Sequence, residues 1–483
     1  MNPQAFRRTA VVVLGALTLT HCAQNPVTGG KDFVLMSEPE EIQMGAQAHQ
    51  DVLKEYAPLD NPALQAYVNE VGQQLAKQSH RPNLPWHFTV VDSPDVNAFA
   101  LPGGYVYITR GIMAYLNSEA ELAGVVGHEI GHVTARHGVR QQSASTAAGV
   151  GAVLGSILLP GMDNQAGATL LQTLALAWTA GYGREHELEA DRLGAGYLAR
   201  TGYDPQAMID VIGVLKNQEL FAAEQAKRDG RSLRSYHGTF DTHPSNDARL
   251  RQVVGEANQY SVASPREGRS DFLQKMTGVY FGDSPDQGVI RNNLLLHEKL
   301  GLAMQFPAGW RVQNRPARVA ALSPQGDALV ELQQGPKSAQ PMETLQQGLK
   351  LDAGARYDSG SLSGYPAAFA AGAQQGKPVV AAAVVFNGTQ YLIAGITLDK
   401  PAYERERSAL RAAINSFRAI SAAEKRAARP HVLQLVTARP GMTMAGLARQ
   451  SPLGADAESQ LRLMNNLYPS GEPEPGQLLK IVQ

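Results

Sequence analysis

The stretch His128-Glu129-Ile130-Gly131-His132 is the most informative part of this chain of 483 residues. Two histidines four residues apart lie on one face of a helix, so both rings can bind a single metal ion. The glutamate between them can then take a proton from the water that attacks a peptide bond. The pattern predicts a zinc peptidase site whose residues serve as ligand, general base and ligand.

The residues around this pattern predict the helix that it needs. Asn117-Ser118 followed by Glu121 is typical of a capping box, and apolar side chains follow at helical spacing. Gly124, Gly127 and Gly131 would each cost about 1 kcal/mol in a helix that had no other use for them. We therefore expect something to approach the backbone of this helix closely.

An acidic segment further along the chain offers the third protein ligand that a catalytic zinc requires. Glu187 and Asp191 are one helical turn apart, so one carboxylate can bind zinc while the other accepts a hydrogen bond from a ligand histidine. Glu185 and Glu189 have the same spacing and remain alternatives, and His186 could also reach the site. Considered alone, the segment would be interpreted as a solvated charged helix face.

The two segments together resemble a known family, the membrane-associated zinc metallopeptidases that include the CAAX prenyl endopeptidase, HtpX and the periplasmic BepA-type proteins. His128-Glu129-x-x-His132 followed by Glu187-x-x-x-Asp191 is similar to the paired signature of that family. The resemblance covers roughly residues 25 to 255. It implies a helix-rich gluzincin domain with a small sheet and one Zn²⁺ per chain. It also implies Glu187 as the third ligand and Glu129 as the general base, which leaves Asp191 as the carboxylate that accepts a hydrogen bond from a ligand histidine.

Two further motifs fit the same family. One is Asn25-Pro26-Val27-Thr28-Gly29, and the other is Asn97–Gly104, which precedes the metal-binding pattern. Around the second motif the sequence predicts a strand over Val96–Ala100, a Pro-Gly-Gly turn and a strand over Tyr105–Ile108. An edge strand beside a zinc cleft can hold an extended peptide by main-chain pairing.

Asp241-Thr242-His243-Pro244 resembles a loop motif of the BepA-type members, in which a histidine approaches the zinc. The resemblance implies His243 as a regulatory fourth ligand that keeps the enzyme inactive until the loop moves. Arg249 has two interpretations that the sequence leaves open. It either stabilises the oxyanion of the tetrahedral intermediate or pairs with Asp247.

The first 21 residues have the layout of a secretory signal peptide. Arg7-Arg8 is followed by an apolar run from Ala10 to Leu19. A transmembrane helix needs about 20 apolar residues, so this run is too short to span a bilayer. We expect the chain to be exported.

Cys22 is the only cysteine in the chain, so it cannot form an internal disulfide. Leu19-Thr20-His21-Cys22 resembles a bacterial lipobox, although His21 departs from the small residue of that motif. The resemblance implies a lipid on Cys22, and Ala23 resembles the sorting signal for the outer membrane. We expect a periplasmic protein anchored to the outer membrane, with a soluble periplasmic protein as the alternative.

The charge of the chain argues against a nucleic-acid partner. The 43 Lys and Arg residues nearly balance the 44 Asp and Glu residues, for a net charge of −1. The sequence has no block of basic residues that could follow a phosphate backbone. We therefore expect protein or peptide partners.

Length and pattern predict an α+β protein with more than one domain, since helical periodicity gives way to strands after about residue 260. We predict a signal peptide over 1–21 and a zinc metallopeptidase domain over 22–262. A smaller α+β accessory domain follows over 270–420. Residues 430–483 resemble a LysM-like module, and modules of this kind bind N-acetylglucosamine polymers, so peptidoglycan binding is implied.

Within the accessory domain, the sequence predicts one β-hairpin and two helices. Val379–Phe386 and Thr389–Leu398 are joined by Asn387-Gly388, which favours a type I′ turn. The helices are predicted at about 341–350 and 402–418. Trp310 and Phe306 are interpreted as core residues of this domain.

The resemblance and the residues together indicate a zinc-dependent endopeptidase of the bacterial cell envelope. Its expected substrates are misfolded or misassembled envelope proteins, with the outer-membrane assembly machinery as a further expected partner. The alternative is a periplasmic assembly factor or chaperone whose protease site is largely latent.

The implied role of His243 can be tested directly. If its ring blocks the site, His243→Ala removes the blocking ligand and raises the rate of casein cleavage by the purified protein severalfold. A rate equal to that of the wild-type protein would contradict the gating role.

Overall fold

The computed structural model of the chain describes residues 22–143, 183–228, 262–335 and 340–483, together with positions 249, 253, 255, 257, 259 and 260. The predicted signal peptide and the Asp241–Pro244 motif lie outside the described residues. The chain divides into two compact units. The first contains residues up to Leu53, Pro58–Val279 and Leu433–Gln483, and the second contains Lys54–Ala57 and Tyr280–Val432.

The first unit is rich in helices. They span Glu38–Glu55, Pro62–Lys77, Arg110–Met113, Glu119–Thr134, Arg184–Thr201, Ala207–Arg228, Arg269–Met276, Met444–Ala448 and Ala457–Met464, with a 3₁₀ turn at Gly454–Asp456. We call Glu119–Thr134 the metal helix and Arg184–Thr201 the acidic helix. Among the described residues, no helix is both long enough and apolar enough to cross a bilayer.

The structure confirms the two strands and the turn that the sequence predicts before the metal helix. Ala98–Leu101 pairs antiparallel with Tyr105–Thr109, which also pairs parallel with His87–Val91. Gly103 and Gly104 form the turn with φ of +82° and +101°, a region that glycine enters without steric cost. In the described part of this sheet, Ala98–Leu101 is an edge strand. A separate two-stranded hairpin pairs Cys22–Gln24 with Lys31–Phe33.

The metal helix begins where the capping pattern predicts. The Ser118 hydroxyl accepts a hydrogen bond from the Glu121 N–H at 3.0 Å. The Glu121 carboxylate accepts one from the Asn117 N–H at 2.8 Å, one residue before the usual partner of a capping box. Both ends of the pattern are therefore satisfied inside the protein, where this helix is buried.

The glycines of the metal helix allow the acidic helix to pack directly against its backbone. A Cβ atom at Gly131 would lie 2.9 Å from the Ala190 carbonyl oxygen, and a Cβ at Gly127 would lie 3.1 Å from Leu198 Cδ1. In the other direction, a Cβ at Gly194 would lie 3.1 Å from the His128 nitrogen. The group that approaches the backbone of the metal helix is thus the acidic helix, and this packing brings acidic side chains close to the histidines.

A buried ionic cluster holds the C-terminal end of the metal helix. The Glu41 carboxylate accepts hydrogen bonds from Arg81 Nη1 at 2.8 Å and from Arg136 Nε at 2.9 Å. Arg81 Nη1 also donates to the carbonyl of Val133 at 3.1 Å. Since that carbonyl belongs to the last turn of the helix, the guanidinium supplies the partner that a helix end lacks.

The C-terminal residues of the chain pack against the loop that precedes the metal helix. Lys480, which is fully buried, donates from Nζ to the carbonyl oxygens of Ala114 and Leu116. Between them, the Tyr115 hydroxyl donates to Gln460 Oε1 at 2.7 Å. Burial lowers the pKa of the Lys480 ammonium. Residues 433–483 therefore belong to the same compact unit as the metal helix, although the sequence predicts them as a separate module.

The second unit is built on antiparallel sheets. The larger sheet has the order Arg311–Arg315, Arg318–Leu322, Ala328–Gln334, Thr389–Thr397, Lys377–Phe386, Tyr365–Gln374 and Arg356–Leu362. Four shorter strands form a second sheet in the order Arg418–Ala419, Leu302–Gln305, Leu294–His297 and Val289–Arg291. Tyr280–Phe281 pairs with the strand His431–Thr437 through Val432 and His431. The helices span Pro341–Leu349, Lys400–Asn415 and Ala422–Ala427.

The second unit confirms the predicted hairpin. Asn387 and Gly388 have φ of 49° and 76°, as a type I′ turn requires. Trp310 and Phe306 are both buried in the hydrophobic core of this unit, so their interpretation as core residues is confirmed as well.

The cluster around Glu41 generates a stability prediction. Glu41→Gln removes the negative charge between two buried guanidinium groups, so we expect the free energy of unfolding to fall by about 3–5 kcal/mol. Glu70→Gln, on an exposed position of the neighbouring helix, is the matched control. Urea unfolding followed by tryptophan fluorescence measures the difference. Equal stability of the two variants would show that the cluster contributes no net stability.

Candidate metal centre

Three buried side chains from the metal helix and the acidic helix converge on one point. Nε2 of His128 lies 3.0 Å from Nε2 of His132. The two oxygens of Glu187 lie 3.6 Å and 3.5 Å from these nitrogens, respectively. The Glu187 carboxylate is fully buried. One nitrogen from each histidine and one carboxylate oxygen therefore face a common centre.

The spacing of these donor atoms fits zinc. Bonds of about 2.0–2.1 Å at a tetrahedral angle place ligand atoms about 3.3 Å apart, close to the three separations observed. Two imidazoles and one carboxylate are also the donor set of many catalytic zinc sites, which leave a fourth position for water or substrate. His128, His132 and Glu187 would hold the ion.

The ring of His128 is fixed from behind by a carboxylate. Its Nδ1 lies 2.8 Å from Asp191 Oδ1. Arg249 binds both oxygens of Asp191, with Nε donating to Oδ2 at 2.8 Å and Nη2 donating to Oδ1 at 2.7 Å. Nη1 of the same guanidinium lies 3.3 Å from Glu187 Oε2. Arg249 thus connects two carboxylates of the acidic helix.

The buried charges in this group stabilise each other. Burial opposes ionisation of Asp191, but Arg249 and then His128 outweigh it and hold the pKa of the carboxyl well below its usual range. Burial likewise opposes the charge of Arg249, and Asp191 and Glu187 together raise the pKa of the guanidinium above its usual value. Asp191 is therefore an ionised acceptor for the His128 N–H throughout the neutral pH range.

The ring of His132 is supported in a different way. Its Nδ1 lies 2.9 Å from Nδ1 of His137, whose Nε2 lies 3.0 Å from Glu189 Oε2. His137 is fully buried, and burial lowers the pKa of its ring. The hydrogen bond from His137 lowers the pKa of Glu189. The local sequence gives no signal for the contact between His137 and His132, because His137 lies beyond the end of the metal helix.

A turn brings His137 back to the metal ligand. The metal helix ends at Thr134, and Arg136 adopts a left-handed conformation with φ of 56°. Hydrogen bonds from Arg136 to Glu41 at 2.9 Å and to the Met36 carbonyl at 2.9 Å hold this strained backbone. A non-glycine residue with positive φ gives no clear signal in the sequence, so the turn could not be predicted.

Glu129 lies on the metal helix between the two histidines and is buried. It lines a cavity of about 20 Å³ together with His128, Arg249 and Ala98, the first residue of the edge strand. That volume is sufficient for one water molecule. The proposed base, a ligand histidine and the edge strand therefore border the same space.

The structure shows which acidic residue faces the metal centre, a choice that spacing alone left open. Glu187 faces the histidines, Glu189 contacts His137 and Glu185 is exposed to solvent. His243 lies outside the described residues, so its role as a regulatory ligand stays a prediction. Cys22 lies in the first strand of the N-terminal hairpin. The oxyanion role of Arg249 stays a prediction too, and its observed contacts are with the acidic helix.

The fold and the donor set define a class of protein. A buried His-His-Glu triad, with a glutamate between the two histidines of one helix, is the site of a zinc metalloendopeptidase. Residues 62–257 match the family model described as Peptidase family M48. The matched residues include both the metal helix and the acidic helix, so the similarity to that family covers the part of the chain that carries the candidate metal centre.

Named proteins from bacteria and a plant are similar to this chain. The beta-barrel assembly-enhancing protease of Yersinia pestis is 34% identical over 58% of this chain and 59% of its own length. The protein of that name from Escherichia coli strain K12 is 36% identical over 50% of this chain and 48% of its own length. The mitochondrial metalloendopeptidase OMA1 of Arabidopsis thaliana is 32% identical over 49% of this chain and 44% of its own length. The chain thus spans about half the length of these relatives.

The choice of Glu187 as ligand can be tested by zinc content. Glu187→Gln replaces the carboxylate by a poorer ligand, so we expect the purified variant to lose most of its zinc. Glu185→Gln makes the same change on the same helix at an exposed position and should retain the wild-type amount. Elemental analysis of both proteins, with circular dichroism as a check of folding, gives the comparison. A zinc-replete Glu187→Gln protein would exclude Glu187 as a required ligand.

Proposed function

We propose that this protein is a zinc-dependent endopeptidase of the bacterial cell envelope that degrades misfolded or misassembled envelope proteins. The observation that carries the peptidase part is the convergence of His128, His132 and Glu187 beside Glu129. Support for the envelope part comes from the relatives named beta-barrel assembly-enhancing protease and from the predicted signal peptide.

The side chains of this chain supply the steps of peptide hydrolysis. Zinc at the triad would polarise the scissile carbonyl and make water a better nucleophile. Glu129 accepts a proton from the attacking water and later donates it to the nitrogen of the leaving amine. Its burial next to Arg249 keeps this proton transfer away from bulk solvent, where competing exchange would be rapid.

The edge strand Ala98–Leu101 is proposed as the docking place of the substrate backbone. The strand pairs with Tyr105–Thr109 on one side, and its first residue, Ala98, borders the cavity that contains Glu129 and His128. An extended peptide that pairs there is held mainly through its backbone, which tolerates many side chains. Broad sequence tolerance suits an enzyme that removes misfolded proteins.

The cellular location of the protein is proposed from its N-terminal sequence. A signal peptide over 1–21 and a lipid on Cys22 would anchor the protein to the outer membrane, with the catalytic domain in the periplasm. A soluble periplasmic protein remains the alternative if His21 prevents lipid attachment.

Two kinds of partner extend the proposal. Contact with the outer-membrane assembly machinery is proposed because relatives are named for β-barrel assembly. Peptidoglycan binding is proposed for residues 430–483, whose order of strand, two helices and strand resembles a LysM-like module.

A second candidate function is a periplasmic assembly factor whose protease site is largely latent. The words "assembly-enhancing" in the names of the relatives favour it. In that case the binding surfaces would carry the activity and the metal centre would contribute little.

One substitution separates the two functions. Glu129→Gln keeps the zinc ligands but removes the proton acceptor, so we expect a normal zinc content and a loss of casein cleavage by at least about 10²-fold, the effect of removing a general base. Glu185→Gln is the matched control, because it makes the same change at an exposed position. Cleavage that persists in Glu129→Gln would contradict the proposed mechanism.

The same variant tests the physiological role in cells. Envelope proteins that accumulate with Glu129→Gln but not with the control would be candidate substrates, and proteomics of the envelope fraction identifies them. Full rescue of an envelope defect by Glu129→Gln would instead favour the assembly factor.

A further inference from the structure

The two histidines of the candidate metal centre are supported asymmetrically. His128 contacts a carboxylate directly through Asp191, whereas His132 contacts a second histidine. Behind that second histidine lies Glu189, one of the acidic residues that spacing left open as a ligand. This difference raises the question of what His137 and Glu189 do.

The direction of the hydrogen bonds follows from the position of the metal-binding nitrogen. Nε2 of His132 faces the common centre, so the single proton of its neutral ring is on Nδ1. That N–H donates to Nδ1 of His137 across 2.9 Å. His137 must then carry its own proton on Nε2, which donates to Glu189 Oε2 at 3.0 Å. The Nδ1 proton of His132 and the Nε2 proton of His137 therefore each have an acceptor.

We propose that His137 and Glu189 form a positioning relay that orients His132 and sets the affinity of the site for zinc, although neither residue is a ligand. The proposal rests on the metal centre described above and extends it to two residues outside the triad. His137 fixes the ring of His132 in the orientation and tautomer that binding through Nε2 requires. Glu189 fixes His137 in the same manner.

The surroundings of the relay support this role. His137 is fully buried, and its Nε2 lies 3.0 Å from Glu189 Oε2 rather than in bulk solvent. The ring of His137 also stacks on His186, with centroids 4.2 Å apart and planes 18° from parallel. These contacts hold His137 in one orientation, as a residue behind a metal ligand needs.

The relay continues outward through weaker contacts. Glu189 Oε2 lies 3.4 Å from Arg140 Nη1, and Arg140 Nε lies 3.5 Å from Asp32 of the N-terminal hairpin. The side chains of Arg140 and Asp32 are 28% and 20% exposed, so solvent screens this part of the chain. We therefore expect the influence on the metal to decrease from His137 to Glu189 and to become small at Arg140.

Zinc affinity of the full-length protein, measured by competition with a chromophoric chelator, tests the relay without reference to proteolysis. Replacing a residue behind a metal ligand typically weakens binding by about 10–100-fold. We expect His137→Leu to fall in this range, because leucine cannot accept the His132 N–H. Glu189→Gln should lie near the lower end, at about 10-fold, and Arg140→Gln should differ little from wild type.

Two matched variants distinguish positioning from packing. Glu185→Gln changes an exposed carboxylate of the same helix and should leave the zinc affinity unchanged. His137→Gln restores an acceptor and a donor, so it should recover much of the affinity lost in His137→Leu. The unfolding temperature of each zinc-free protein shows whether a variant has merely lost stability.

Two results would overturn the relay. One is equal zinc affinity of Glu189→Gln and Glu185→Gln, and another is equal loss in His137→Gln and His137→Leu. If His137→Leu does not fold, the comparison of Glu189→Gln with Glu185→Gln decides alone. A wild-type protein that binds no zinc would overturn the metal centre itself. A Glu129→Gln protein that still cleaves casein would contradict the proposed mechanism while leaving the relay intact.

Discussion

Direct packing between the backbones of the metal helix and the acidic helix is the constraint on which the rest of the site depends. A Cβ atom at Gly131 would lie 2.9 Å from the carbonyl oxygen of Ala190, a distance that real Cβ atoms do not adopt. Any side chain there would separate the helices and withdraw Glu187 from the histidines. Glycine in a helix costs about 1 kcal/mol, so its presence here reflects the geometry that zinc binding requires rather than helix stability.

Once the helices are this close, the site must accommodate several charges in a space without solvent. Asp191 and Glu187 would repel each other there, and Arg249 compensates by binding the first at 2.7 Å and approaching the second at 3.3 Å. Removing one member of such a group leaves an uncompensated buried charge, which costs several kcal/mol. The acidic helix is therefore fixed to a distant part of the chain as well as to the metal helix.

Residues near the C-terminus of the sequence stabilise the loop that leads into the metal helix. Lys480 supplies buried hydrogen-bond donors to carbonyls at Ala114 and Leu116, just before the capping residues. Unpaired carbonyls in such a place would cost about 1–3 kcal/mol each. The C-terminal residues thus take part in the structure that carries the metal ligands, whatever else they bind. Their pattern of strands and helices indicates a small module, but no local pattern shows which surface that module covers.

Sequence alone determined the metal helix and its cap, because helical periodicity and capping depend on residues that are close along the chain. His128, His132 and the hairpin at Asn387-Gly388 were predictable for the same reason. Spacing could not choose among Glu185, Glu187 and Glu189. The family signature favoured Glu187, but only the packing of the acidic helix showed which carboxylate faces the histidines.

The tertiary structure alone decided the contacts of His137 and Arg249. His137 returns to His132 only because Arg136 takes a left-handed conformation, and Arg249 meets Asp191 across 58 positions of the chain. Contacts of this kind depend on how distant segments pack, and the free energy of that packing is not encoded in any short pattern. The local sequence therefore specifies which groups are present at the metal centre, and the fold specifies which of them meet.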